Sequence, residues 1–156
     1  MNPVKNNFFR EVEELIPWLH QLDPATQPLW GTMTAQHMVE HLTASVKISV
    51  GMPEIQVHNT QELAEKFKAA LIHTDRPLSR GIKNPALPEH PLPLRHAKLS
   101  DAVEELQQEW NRFKEYYQAN PQAQHNHPRL GKLSHAEWVI FHGKHFSHHL
   151  EQFGLV

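Results

Sequence analysis

The sequence predicts an all-α fold: a four-helix bundle with one accessory helix and a long loop-rich connection, forming a single domain over residues 1–156. Three observations predict it. Four segments carry apolar residues recurring at three and four, which is the spacing of a helix with one buried face. Helix-start residues stand directly before several of these segments. No stretch alternates apolar and polar residues as a half-buried strand would.

Residues 6–22 make the first helix, with Phe8, Phe9, Val12, Leu15, Ile16, Leu19 and Leu22 on one face and Glu11, Glu13 and Glu14 on the other. Pro17 should bend that helix or end it, because proline lacks the N–H and clashes with the preceding turn. Asp23-Pro24 opens a loop that closes at Trp30-Gly31. Thr34 is a good N-cap for a second helix of about 17 residues with Met38, Val39, Leu42 and Val46 inward. Gly51-Met52-Pro53 stops it. Asn59 through His73 predict a shorter third helix, with Asn59 and Glu62 as a weak capping signal.

Residues 74–98 hold Pro77, Pro85, Pro88, Pro91, Pro93 and Gly81, and the expectation there is a long loop acting as a lid or packed as an excursion. Arg76, Arg80, Lys83 and Arg95 lie along it, either as solvated charges or as an attraction for an anionic substrate. Ser100 is expected to cap a further helix with Val103, Leu106, Trp110, Phe113 and Tyr117 buried, reaching about Ala119. The Gln-, His- and Asn-rich stretch to Gly131 is expected to be a loop. Ser134-His135-Ala136-Glu137 spells a capping box before the last helix.

Composition narrows the function. The net charge is -2, the pI is near 6.7, and the basic residues are scattered, so no nucleic-acid partner is expected. No apolar run is long enough for a membrane span and the N-terminus lacks a signal-peptide core, so the expectation is a cytoplasmic protein with no membrane partner. With no cysteine, the chain has no disulfide, zinc-thiolate site or thiol nucleophile of its own. Chemistry must come from histidine, carboxylates, hydroxyls or something bound.

Histidine is the outlier, at 14 residues, and four fall between His142 and His149. On a helix, Trp138, His142, His145, His149 and Phe153 share one stripe, while His148 lies to one side. His145 and His149 are four apart, so their rings stand one turn above the other and can converge on one ion. One buried histidine is usually packed and hydrogen-bonded; three on a stripe favour a cation that satisfies one nitrogen of each. His41 lies at the edge of the apolar face of the second helix and is placed to point inward. His37 is turned toward the polar side. His37-Met38-Val39-Glu40-His41 also matches the H-x-x-E-H string of inverted zinc peptidases. That match rests on three residues in a chain too small for a peptidase cleft, and we set it aside.

Three stretches carry a family likeness: Trp30-Gly31-Thr32-Met33-Thr34 running on through His37 and His41; His127-Pro128, Gly131, Leu133-Ser134 and Glu137-Trp138; and His145, His148-His149 and Gln152-Phe153-Gly154. Together they resemble the DinB/YfiT-like superfamily of metalloenzymes, and within it a bacterial branch of small domains without assigned function. The resemblance spans essentially the whole chain. It implies a four-helix bundle binding a divalent ion, zinc or nickel, through one histidine of the second helix and an H-x-x-x-H pair of the last. Those positions are His41, His145 and His149. Because the superfamily includes thiol S-transferases, it also implies a low-molecular-weight thiol as cosubstrate, although fold does not fix reaction.

His142 is an addition to that pattern and is left as a fourth ligand, a base or a packed residue. Glu40 and His142 are the candidate catalytic acid–base groups, with Gln152 as a further candidate to hold a ligand ring. The expected function is a metal-dependent transferase or hydrolase acting on a small-molecule substrate. The alternative is a non-catalytic metal- or small-molecule-binding protein, and exposed apolar helix faces leave a homodimer open.

Overall fold

A computed structural model describes residues 10–80 and 92–156. Phe8, Phe9, Gly81, Lys83, Pro85, Pro88 and Pro91 lie outside the described residues. The chain order is α1 (Val12–His20), α2 (Ala35–Ile48), α3 (Gln61–Ile72), α4 (Leu99–Ala119), β1 (Gln124–His127), β2 (Gly131–Ser134) and α5 (His135–Gln152).

The helix starts follow side-chain chemistry. Thr34 accepts from the His37 amide at the head of α2. Ser134 accepts from the Glu137 amide while the Glu137 carboxylate accepts from the Ser134 amide, so the predicted capping box begins α5. Two predicted caps shift. Thr60, not Asn59, caps α3 by accepting from the Leu63 amide, and Asn59 instead donates to the Arg129 carbonyl. α4 begins at Leu99, so Ser100 lies in its first turn. α1 continues through Pro17 and is shorter than the apolar pattern implied.

α5 is the interior element. Every residue from Phe141 to Ser147 is buried, and a helix buried on all sides is a core helix. α1, α2, α3 and β2 pack on it, α4 reaches it through Trp110 and Phe113, and α2 and α4 pair most extensively with each other. Lys144 is 2% exposed. Its Nζ donates to the carbonyls of Leu71, of Thr74 at 2.8 Å and of Arg76 at 2.7 Å, holding the end of α3 and the backbone beyond it. Burial lowers the Lys144 pKa, and Asp75 opposes the shift in part.

The all-α expectation needs correcting, because the protein is mostly helical with a small antiparallel hairpin of β1 and β2. The stretch expected to be a loop supplies β1. Its ladder pairs Gln124 with Ser134, His125 with Leu133, Asn126 with Lys132 and His127 with Gly131. Backbone groups make that ladder, so its polar side chains give no apolar alternation. Pro128-Arg129-Leu130 is a three-residue connection closed by Gly131 at φ 77°, the left-handed position such a turn requires. Residues 74–80 and 92–98 hold no helix or strand, as expected of that connection. No helix among the described residues is long and apolar enough to cross a membrane.

Candidate metal centre and cavity

α2 carries His41 toward α5, and one-turn spacing on α5 stacks His145 and His149 opposite it. The Nε2 of His145 lies 3.0 Å from that of His41 and 3.1 Å from that of His149. One ligating nitrogen from each residue falls within 4.8 Å of the others. The three predicted ligands therefore come together.

The partners of His149 fix its tautomer. Its Nδ1 lies 2.7 Å from Gln152 Oε1, and Gln152 Nε2 donates to the Trp30 carbonyl at 2.9 Å, which sets the orientation of the amide. His149 must then carry its proton on Nδ1 and turn a bare Nε2 lone pair toward the cluster. Gly31 makes room for this. It sits at φ 80°, and a Cβ there would meet Gln152 Nε2 at 3.0 Å.

With that lone pair in place, protons cannot serve both close contacts of His145. If His145 Nε2 bears hydrogen, that N–H makes one well-directed bond and the other contact goes without. If it is bare, two lone pairs face each other across the His149 contact. Protonation is also disfavoured. Burial lowers His41 to about 4, with a contribution from His148, and His149 to about 3, with a contribution from His41. Burial, then His149 and His41, hold His145 well below the usual imidazole value. A divalent cation satisfies three neutral lone pairs together, and nitrogens about 2.1 Å from one ion can stand 3 Å apart. The donor set fits such an ion.

The other candidate residues stand apart. His142 is fully buried, and its Nε2 lies 2.9 Å from Ser49 Oγ. That hydroxyl donates to the Val46 carbonyl, so His142 donates to it and keeps a bare Nδ1, which has no partner. The ring stacks on Trp138 and meets Trp110 and Phe113 edge-on. Burial, with a smaller contribution from His127, takes its pKa to about 3. Of the three roles left open for His142, packing matches this placement.

Glu40 is also buried. It accepts from the Arg95 amide at 2.7 Å, from Gln36 Nε2 at 3.0 Å and from the His96 amide at 3.4 Å. Burial works to raise its pKa, but the Arg95 and His96 amides, Gln36 and the Arg95 guanidinium outweigh that and hold it below the ordinary carboxylate value. It ties α2 to the segment entering α4. His37 Nδ1 lies 2.7 Å from Thr34 Oγ1 in the cap, so the H-x-x-E-H string assembles no site.

The cluster opens on a cavity of about 720 Å³, within the size range of small-molecule sites. His142 and Glu40 do not line it. Several residues given no role from the sequence do, among them His127, Arg129, Trp138 and His148. The hairpin supplies His127 and Arg129, and the backbone fixed by Lys144 leads into the wall at Arg76–Ser79. The Pro128-x-x-Gly131 punctuation was the one sequence signal for that turn. Of the loop cations, Arg76 lines the cavity, whereas Arg95 is engaged by Glu105 and Glu40.

Fold and site together define a mostly helical protein with a histidine cluster on the wall of an open cavity. By sequence the chain belongs to the family described as protein of unknown function (DUF1569), whose profile matches residues 6–154. Comparison with the curated proteins and with the solved structures found no match.

Proposed function

We propose that His41, His145 and His149 hold one divalent transition-metal ion facing the cavity, and that the protein is a metal-dependent enzyme acting on a small molecule bound there. The conflict among the three Nε2 atoms carries this reading: no arrangement of protons serves both close contacts, whereas a cation serves all three nitrogens. Three neutral imidazoles keep the full charge on the ion and leave it room for a further ligand, so that when bound it would lower the pKa of water or of a thiol.

The residues of the chain have separable tasks. Gln152 orients His149, Gly31 admits Gln152, and the largely apolar walls offer a surface to the body of a small molecule. Lacking cysteine, the protein would take any thiol as a cosubstrate, which keeps both thiol transfer and hydrolysis within the reading. The ligand pattern, one histidine from α2 and an H-x-x-x-H pair from α5, supports grouping the chain with the DinB/YfiT-like helical bundles.

Metal analysis of untagged protein, with His41→Ala, His145→Ala and His149→Ala beside it, tests the site. About one ion per chain, lost in each variant while helical content persists, is expected. Metal-loaded protein is then assayed with electrophiles plus a thiol panel, and with esters and amides. No ion after growth and titration with zinc, nickel, manganese and iron would overturn the site. An ion with no metal-dependent turnover in either panel would favour a non-catalytic binding protein.

A further inference from the structure

The cavity has a second polar end, away from the imidazole cluster. At the hairpin tip, half-buried Arg129 holds its guanidinium carbon 5.3 Å from the centre of the Phe67 ring and has no carboxylate partner among the described residues. Other arginines do find one: Arg95 pairs with Glu105 and Arg112 with Glu109. Next to it, His127 Nδ1 accepts from the amides of Arg129 at 3.1 Å and Leu130 at 3.2 Å. That occupancy leaves an Nε2–H donor as the polar atom His127 can offer a ligand. Burial and the Arg129 charge both keep the ring neutral, with its pKa at about 3. Arg76 brings a second cation to the wall, and no Asp or Glu is found among the lining residues described.

Between the two polar ends the surface is apolar. Phe141 spans the distance, its ring centre 4.5 Å from that of His127 and 5.1 Å from that of His145. Phe67, Leu71 and Trp138 complete a greasy channel. An unpaired guanidinium beside a neutral N–H donor suits a planar carboxylate, which a fork of donors binds more strongly than a neutral group.

We propose that the cavity selects an amphiphilic carboxylate, its acid group on Arg129 and His127 and its apolar body directed along Phe141 toward the histidine cluster. The proposal rests on reading the cavity as the substrate site, and it names the substrate class. The carboxylate is an anchor one ring's width from the cluster, not the reacting group.

The test uses chelator-treated, metal-free protein, so its result is independent of the ion. Trp30 and Trp138 line the cavity and report occupancy by fluorescence. Titration with 4-phenylbutyrate and with 4-phenyl-1-butanol at pH 7 should show the acid binding at least about tenfold more tightly, the scale of one charge-assisted contact. Arg129→Met, with Arg129→Gln as a second variant, should bring the two affinities within about threefold while leaving that of the alcohol unchanged. His145→Ala should keep the preference. Equal affinities in the wild type, binding of neither compound, or a preference that survives both Arg129 variants would overturn it. Failure of the metal reading would appear separately, as missing ion in the metal analysis.

Discussion

His142 and His145 stand one turn apart on α5 and meet opposite surroundings. His142 faces the aromatics of α4, spends its N–H on Ser49 and leaves a bare nitrogen in a closed ring cage. His145 faces His41 of α2 and the cavity, with two other imidazole nitrogens at hydrogen-bond distance. The helix supplies the same spacing to both. The element opposite decides which becomes core and which becomes a ligand.

The most direct way to break that comparison is to exchange losses. His145→Ala should reduce bound ion from about one per chain to none while the helical circular dichroism persists, since a three-ligand site seldom survives on two. His142→Ala should keep the ion and lower stability by about 2–4 kcal/mol, the cost of a cavity where a large buried ring was removed. Metal analysis and denaturant unfolding on the same samples read both. Loss of ion in His142→Ala with normal folding would mean that the two residues belong to one site.

Acid should separate the regions next. His127 and His142 have folded pKa values of about 3 against 6.5 when exposed. Between those values the unfolded chain binds more protons, so stability is fully present above about pH 6.5 and falls as pH drops toward 3. At pH 5 each residue should cost about 2 kcal/mol relative to pH 7. Urea unfolding of metal-free protein at pH 7 and pH 5 measures the total acid effect, to which the neutral rings of His41, His145 and His149 also contribute, and His142→Leu should reduce that total by about 2 kcal/mol. An unchanged midpoint between the two pH values would contradict the buried, neutral state of both rings.

A finer distinction concerns Gln152, which supports the ligand region without joining it. Gln152→Ala frees the His149 ring and should weaken ion affinity by about ten- to a hundredfold, the usual effect of losing the group that orients a ligand. Gly31→Ala should act in the same direction, because its Cβ would press on Gln152 Nε2 and its φ of 80° suits glycine. Competition with a chelating dye measures both. Wild-type affinity in both variants would show that the His149 ring is held by packing alone.

What was legible in the sequence follows the range of the interactions involved. The α5 capping box, the Thr34 cap and the convergence of His145 with His149 depend on residues three or four apart, and spacing exposes them. The orientation of His41 followed from its place at the edge of the apolar face of Met38, Val39, Leu42 and Val46. The hairpin was hidden because β1 pairs through backbone groups under polar side chains. The cavity was hidden as well, since its walls come from the hairpin tip, α3, α5 and the segment held by Lys144. A stripe of histidines likewise could not reveal that α4 would close over His142 while α2 brought His41 to His145.

The smallest effect is expected at Glu40, and it sharpens the contrast on the α2 side. Glu40 and His41 are adjacent, yet Glu40 faces Arg95 and His96 while His41 faces the cavity. Glu40→Gln keeps the shape and a carbonyl acceptor but removes the charge that receives two amides and lies 3.7 Å from the Arg95 guanidinium. Charge-assisted bonds are stronger than neutral ones, and half-exposed Arg95 keeps Glu105 as a second partner, so stability should fall by only about 1 kcal/mol. Ion content should not change. If Glu40→Gln instead empties the site or abolishes metal-dependent turnover while thermal stability holds, Glu40 acts on the ion or the substrate, and the H-x-x-E-H string of α2 becomes a working motif rather than a coincidence of three residues.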